Sequence, residues 1–157
     1  MTAIRLEGFA ESVDLRAMQL REVLSDYTEA VPLEQAEGED MWNAIREVRP
    51  LADAETLWRV HIAPSRAAPL VAALYELGAE WLLDWAGALI WIGAPAGVDV
   101  RAVVGRMGGH AMLLRAPLAL RQITPVRHPQ AAGVAALSTR VQQGFDPAGI
   151  LDPKRFI

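Results

Sequence analysis

His110 directly follows Gly108-Gly109 and opens the run 110–115, which reads as a strand. Two glycines at the mouth of a strand let the backbone aim the side chain that follows them. A neutral imidazole so placed can accept a proton from a bound ligand near physiological pH, or it can hydrogen-bond its own loop. Arg59 lies inside the alternating run 56–62, and Arg115 ends the run 110–115. A guanidinium on either strand offers a planar fork that grips a carboxylate through two hydrogen bonds. The competing role is an ion pair with one of the 19 acids. Trp85 stands at the tip of a hairpin, where an indole is exposed enough to meet a partner or cofactor. His61, His110 and His128 are far apart in sequence, and no H-x-H or H-x-x-x-H occurs, so no metal site is expected. There is no G-x-G-x-x-G, P-loop or nucleophile elbow. Gly105-x-x-Gly108-Gly109 follows a helix, whereas phosphate-cradling loops follow a strand.

The elements that must hold these residues are readable from periodicity. Residues 4–9 alternate as a half-buried strand does. Ser12 is placed to cap a helix with Val13, Ala17, Leu20 and Leu24 at helical spacing. Residues 27–38 read as a loop, and Asp40 as the cap of a short helix through Val48, ended by Arg49-Pro50. In the second strand, 56–62, Leu57, Arg59 and His61 share one face; Trp58, Val60 and Ile62 share the other. Pro64-Ser65 opens a helix carrying Leu70, Leu74 and Leu77, closed by Gly78. Residues 80–84 and 88–92 form the hairpin about Trp85-Ala86-Gly87. Asp99 caps a helix that turns Val100, Val103, Val104 and Met107 inward, broken by Gly108-Gly109. Residues 116–130 read as irregular, 131–143 as a final helix with Val134, Leu137 and Val141 in one stripe, and the tail 144–157 as an extended strap. The order β-α-α-β-α-β-β-α-β-α predicts an α+β fold: a ferredoxin-like, split-βαβ antiparallel sheet with helices mainly on one face.

Composition bounds the partners. The chain has 157 residues, 52% of them hydrophobic, enough for a single domain over 1–157 that needs no disulfide or metal staple. It contains no Cys, which excludes a disulfide scaffold, an Fe–S cluster and thiol catalysis. A net charge of −4 argues against nucleic acid as a partner. The most apolar run, 81–95, is too short and too interrupted to span a bilayer, and no secretion signal is visible. A cytoplasmic protein is expected.

Four strings carry a resemblance: Leu57-Trp58-Arg59; Asp84-Trp85-Ala-Gly87-Ala-Leu-Ile-Trp91; Gly108-Gly109-His110-Ala-Met-Leu-Leu-Arg115; and Phe145-Asp146-Pro147-Ala-Gly149-Ile-Leu-Asp152-Pro153-Lys-Arg155-Phe156. In order and interval they resemble the C-terminal half of the FAD-binding (E) subunit of bacterial glycolate oxidase, within the vanillyl-alcohol oxidase-type superfamily. The chain departs from the family's closing string at Asp152 and Lys154, where Asn and Gly are common.

The resemblance implies a flavoprotein portion whose FAD is held mainly by an N-terminal FAD-binding domain that this chain does not contain. It implies flavin-dependent oxidation of a small 2-hydroxy acid, with other glycolate oxidase subunits as partners and a location that is cytoplasmic or peripheral to the inner membrane. On that reading His110 is the proton acceptor, Arg59 and Arg115 bind substrate, Trp85 meets the flavin, and the chain alone is inactive. The tail residues Asp146 and Arg155 are expected to fasten the strap. The alternative from another class is a free-standing ferredoxin-like module that binds a small ligand or a partner without catalysis.

Overall fold

A computed structural model describes residues 1–151; the expectations for Asp152, Lys154, Arg155 and Phe156 lie outside the described residues. The chain divides into two compact units, 1–42 and 43–157. In the first, α1 spans Ala10–Leu24, and α2, Gln35–Arg46, begins there and runs into the second. Residues 4–9 are not a strand: they pair with no sheet, and Gly8 sits at φ +147° before the helix starts. An alternating pattern is only half of a strand, because its backbone groups need a neighbour to bond. Ser12 is not the cap either. Phe9 holds that position without a side-chain bond, while Arg16 reaches back to the carbonyl oxygen of Glu7 at 2.6 Å.

The second unit contains the sheet. Its strands are β1 (Thr56–His61), β2 (Glu80–Asp84), β3 (Leu89–Ala94) and β4 (His110–Arg115). All pairs are antiparallel, in the order β2-β3-β1-β4. Helix α3 (Ala67–Tyr75) joins β1 to β2, and α4 (Val100–Arg106) joins β3 to β4. Two further helices follow, α5 (Leu118–Ile123) and α6 (Ala132–Phe145). The mixed helix and sheet content agrees with an α+β fold. Residues 116–130 are less irregular than their three prolines suggest, since α5 lies among them. Among the described residues no helix is long and apolar enough to cross a membrane.

The core follows from the alternation of β1. Trp58, Val60 and Ile62 turn to one face, where they join Ile90 and Ile92 of β3, Leu70 and Leu74 of α3, and Val100, Val103 and Val104 of α4. Each fully buried aliphatic side chain contributes about 1.5–3 kcal/mol relative to exposure. Among the described residues Thr56 is the one buried polar side chain: its hydroxyl donates to the Ala94 carbonyl at 2.8 Å and accepts from Trp58 Nε1 at 3.0 Å. Asp99 caps α4 as its type and place suggest, Oδ1 accepting from the Ala102 N–H at 3.0 Å. Gly78, at φ +76°, closes α3, and the Ala79 N–H returns to the Leu74 carbonyl.

The other face of the sheet is only partly covered. At one end the turn Arg49–Leu51 lies over Gly93, where an added Cβ would come within 2.7 Å of Ala54 Cβ. Towards the opposite end, Arg59, His61, Trp91 and Met112 stay partly exposed. The α6 stripe is uncovered too: Val134, Leu137 and Val141 are all more than half exposed. Helical spacing marks an apolar face but does not say what covers it.

Candidate functional site

The uncovered end of the sheet is where the chemistry-bearing residues gather. A cavity of about 340 Å3, open to solvent, is lined by Arg59 and His61 of β1, His110 and Met112 of β4, Arg127, His128 and Gln130 of the following segment, and Val134 of α6. Two arginines and three histidines line it, and no acid does.

The placement of each residue has a local cause. His61 and His110 are direct register partners on β1 and β4, so their side chains leave the same face side by side. Arg59 lies two residues from His61 on that face, its guanidinium 5.9 Å from the centre of the Trp91 ring. Among the described residues Arg59 makes no ion pair. The pairing between β1 and β4 slips at Leu57/Trp58, and beyond that slip Arg115 leaves the cavity. Its guanidinium donates instead to the carbonyl oxygens of Leu51 at 2.7 Å and Ala54 at 3.1 Å. Those bonds tie the covering turn to β4, apart from the cluster that holds Arg59 and His110.

Trp85 is 62% exposed at the β2–β3 turn, and its ring lies 5.9 Å from that of His61. Trp85 and Ala86 both adopt left-handed backbone, at φ 50° and 53°. Such a conformation in a bulky residue is an outlier that costs on the order of 1–3 kcal/mol. Asp84 steadies the turn, its Oδ1 accepting from the Trp85 N–H at 2.8 Å. Trp91 is not a core residue but part of the open face, beneath Arg59.

His128 is the residue that sequence reasoning missed. Its approach depends on the segment after α5 docking along the outer edge of β4. There the Leu113 N–H donates to the Val126 carbonyl at 2.8 Å, and the Ala111 N–H donates to His128 Nδ1 at 3.3 Å. The rings of His110 and His128 then meet edge to face at 5.2 Å. The only prior signal was the presence of three histidines; nothing in their spacing brings them together. Among the described residues no group of three or more His, Asp or Glu is arranged to hold a metal ion.

Electrostatics favour the neutral imidazole at His61 and His128. Burial lowers the His61 pKa, and Arg59 and His110 lower it further. Burial again leads for His128, followed by His110 and Arg101. Both groups therefore titrate below the ordinary histidine value of 6.5. A base with a lowered pKa binds its proton more weakly folded than unfolded. Its contribution to stability is full above the unfolded value and is lost as pH falls through that value towards the folded one. The urea midpoint of the chain is therefore expected to drop on acidification below neutrality, and a variant carrying both His61→Gln and His128→Asn is expected to lose less. A midpoint that falls equally in both proteins would refute this assignment.

A solvent-open end of an α+β sheet thus presents two arginines, three histidines and no acid, donors of the kind that can bind a small anion. Comparison with curated proteins finds the glycolate oxidase subunit GlcE of Escherichia coli (strain K12), with 29% identity over 155 residues, covering 97% of this chain and 37% of that protein. The chain thus resembles GlcE from end to end while spanning little more than a third of its length. No protein-family model and no solved structure matches.

Proposed function

We propose that the chain is the C-terminal, flavin-covering portion of a glycolate-oxidase-type FAD subunit and contributes the site for a small 2-hydroxy acid. The observation that carries this reading is the similarity to GlcE along 97% of the chain. The cationic cavity supplies the chemistry such a substrate needs. The strand succession β-α-β-β-α-β, with order β2-β3-β1-β4, supports a ferredoxin-like split-βαβ domain with its open face towards the flavin portion.

The residues suit one part of FAD and not another. Gly108-Gly109 offers no cradle for a pyrophosphate, because Gly109 is packed against Val104 and the His61 carbonyl. The phosphates and adenine therefore belong to an FAD-binding domain outside this chain. The open face, with Trp91, Met112 and the exposed Trp85, suits a flat ring system. Bound there, a flavin supplies a two-electron acceptor for a hydride from the substrate carbon. Arg59 binds the substrate carboxylate, and His110 takes the proton of the substrate hydroxyl as the carbon–hydrogen bond breaks. Arg127 adds positive charge at the rim. Without the FAD-binding domain the chain has no electron acceptor and is inactive. Other oxidase subunits would receive the electrons and hold the assembly in the cytoplasm or at the inner membrane surface.

One experiment separates this from the second reading, a free-standing small-ligand module, which the continuous core between Trp58 and Leu113 favours. The chain is co-expressed with the FAD-binding portion of a glycolate oxidase E subunit and purified through a tag on this chain alone. A yellow complex with flavin absorbance is expected. A colourless, unassociated chain would favour the free-standing module.

A further inference from the structure

His128 belongs to a docked segment, not to the sheet, and the way that segment is held determines what the imidazole can do. Arg101 of α4 lies over the Trp58 ring at 5.2 Å and donates to three backbone carbonyls. These are Ala111 on β4 at 3.2 Å, Val126 at 2.8 Å, and Pro125. One guanidinium thus binds strand and segment together, and the Leu113 N–H to Val126 bond closes the same seam. At the next step along the strand edge, the Ala111 N–H donates to His128 Nδ1. A backbone N–H can only donate, so Nδ1 must carry a lone pair. The ring proton of the neutral imidazole then resides on Nε2, the nitrogen not turned to the strand.

We propose that His128 is a specificity-determining residue of the cavity, locked by the β4 edge in its Nε2–H form to donate a hydrogen bond to an oxygen of the anionic ligand. This rests on the reading of the cavity as a hydroxy-acid site. Charged and titratable groups surround His128 from each side: His110 on β4, Arg59 and His61 on β1, Arg127 on its own segment and Arg101 from α4; α6 brings only Val134. The arginines among them can only donate, and the cavity is lined by no carboxylate, so an oxygen of an anionic ligand is the charged acceptor that the Nε2 proton can meet there. A doubly protonated His128 would set two donors against each other at Ala111 and lose that bond. The neutral form keeps the bond while still offering a donor.

Two readouts on the full chain test the proposal. Long-range proton–nitrogen NMR of the imidazoles is expected to show His128 at neutral pH with an unprotonated Nδ1 and a protonated Nε2. Glycolate is then titrated into the wild-type chain and into His128→Asn and His128→Ala. Asparagine retains an acceptor for the Ala111 N–H but has no donor that reaches as far as Nε2. Both variants are expected to bind glycolate about 10- to 100-fold more weakly, the scale of a hydrogen bond to a charged group, with Ala111 amide exchange preserved in His128→Asn. An Nδ1–H tautomer, or a His128→Asn variant that binds as tightly as wild type, overturns the proposal alone. A wild-type chain with the expected tautomer but no glycolate shifts overturns the hydroxy-acid reading and this proposal with it.

Discussion

The substitution His110→Asn is expected to slow reduction of the flavin by a 2-hydroxy acid about 10²- to 10⁴-fold in the assembled subunit, the range for loss of a positioned general base. His110 lies at the start of β4, exposed to the cavity, opposite His61 and against the ring of His128. Arginine cannot take a proton at neutral pH, and no acid lines the cavity, so among its lining residues the proposed proton acceptor is a histidine. Of the three, His128 has its Nδ1 committed to Ala111, and His61 is partly screened by Trp85. Asparagine preserves polarity and approximate size, so folding is expected to be intact. The substrate affinity should change far less than the rate, because in the proposed site Arg59 and not His110 holds the carboxylate. Equal reduction rates in the variant and wild type would transfer the role to another residue.

Gly109→Ala is expected to cost about 1–3 kcal/mol of stability and to part His110 from His61. A Cβ at this position would lie 2.8 Å from Val104 Cγ1 and 3.0 Å from the His61 carbonyl oxygen. Neither neighbour can yield cheaply: Val104 is fully buried and the carbonyl is part of β1. The pair Gly108-Gly109 therefore has a divided task. Gly108, at φ +75°, turns the chain out of α4, and Gly109 brings β4 flush against the end of β1. Urea denaturation measures the first effect, and changes in the His61 and His110 ring resonances the second. A variant with wild-type stability and unshifted resonances would show that the close approach is not required.

Legibility of the sequence varied with the range of the interaction. The strand 56–62, the hairpin around Trp85 and the Asp99-capped helix emerge where expected, because alternation, turn chemistry and capping act within a few residues. Residues 4–9 failed because a strand depends on a distant partner, and Ser12 failed because helix α1 starts earlier, at Ala10. The α6 stripe was correctly periodic yet its apolar side is exposed, since periodicity carries no information about the covering layer. Arg59 and His110 could be singled out from local strings, and they share a cavity. Arg115 looked equivalent, but a register slip that no local pattern encodes sends it to Leu51 and Ala54. The convergence of His128 depended on Arg101, Trp58 and a strand edge, all remote in sequence.

The most direct test of the central claim is anaerobic addition of glycolate to the purified complex of this chain with an FAD-binding portion, followed by flavin absorbance. Bleaching of the flavin that requires this chain, and that is lost in a complex carrying Arg59→Ala, is the predicted result. Flavin that stays oxidised, or that bleaches at the same rate without this chain, would contradict it.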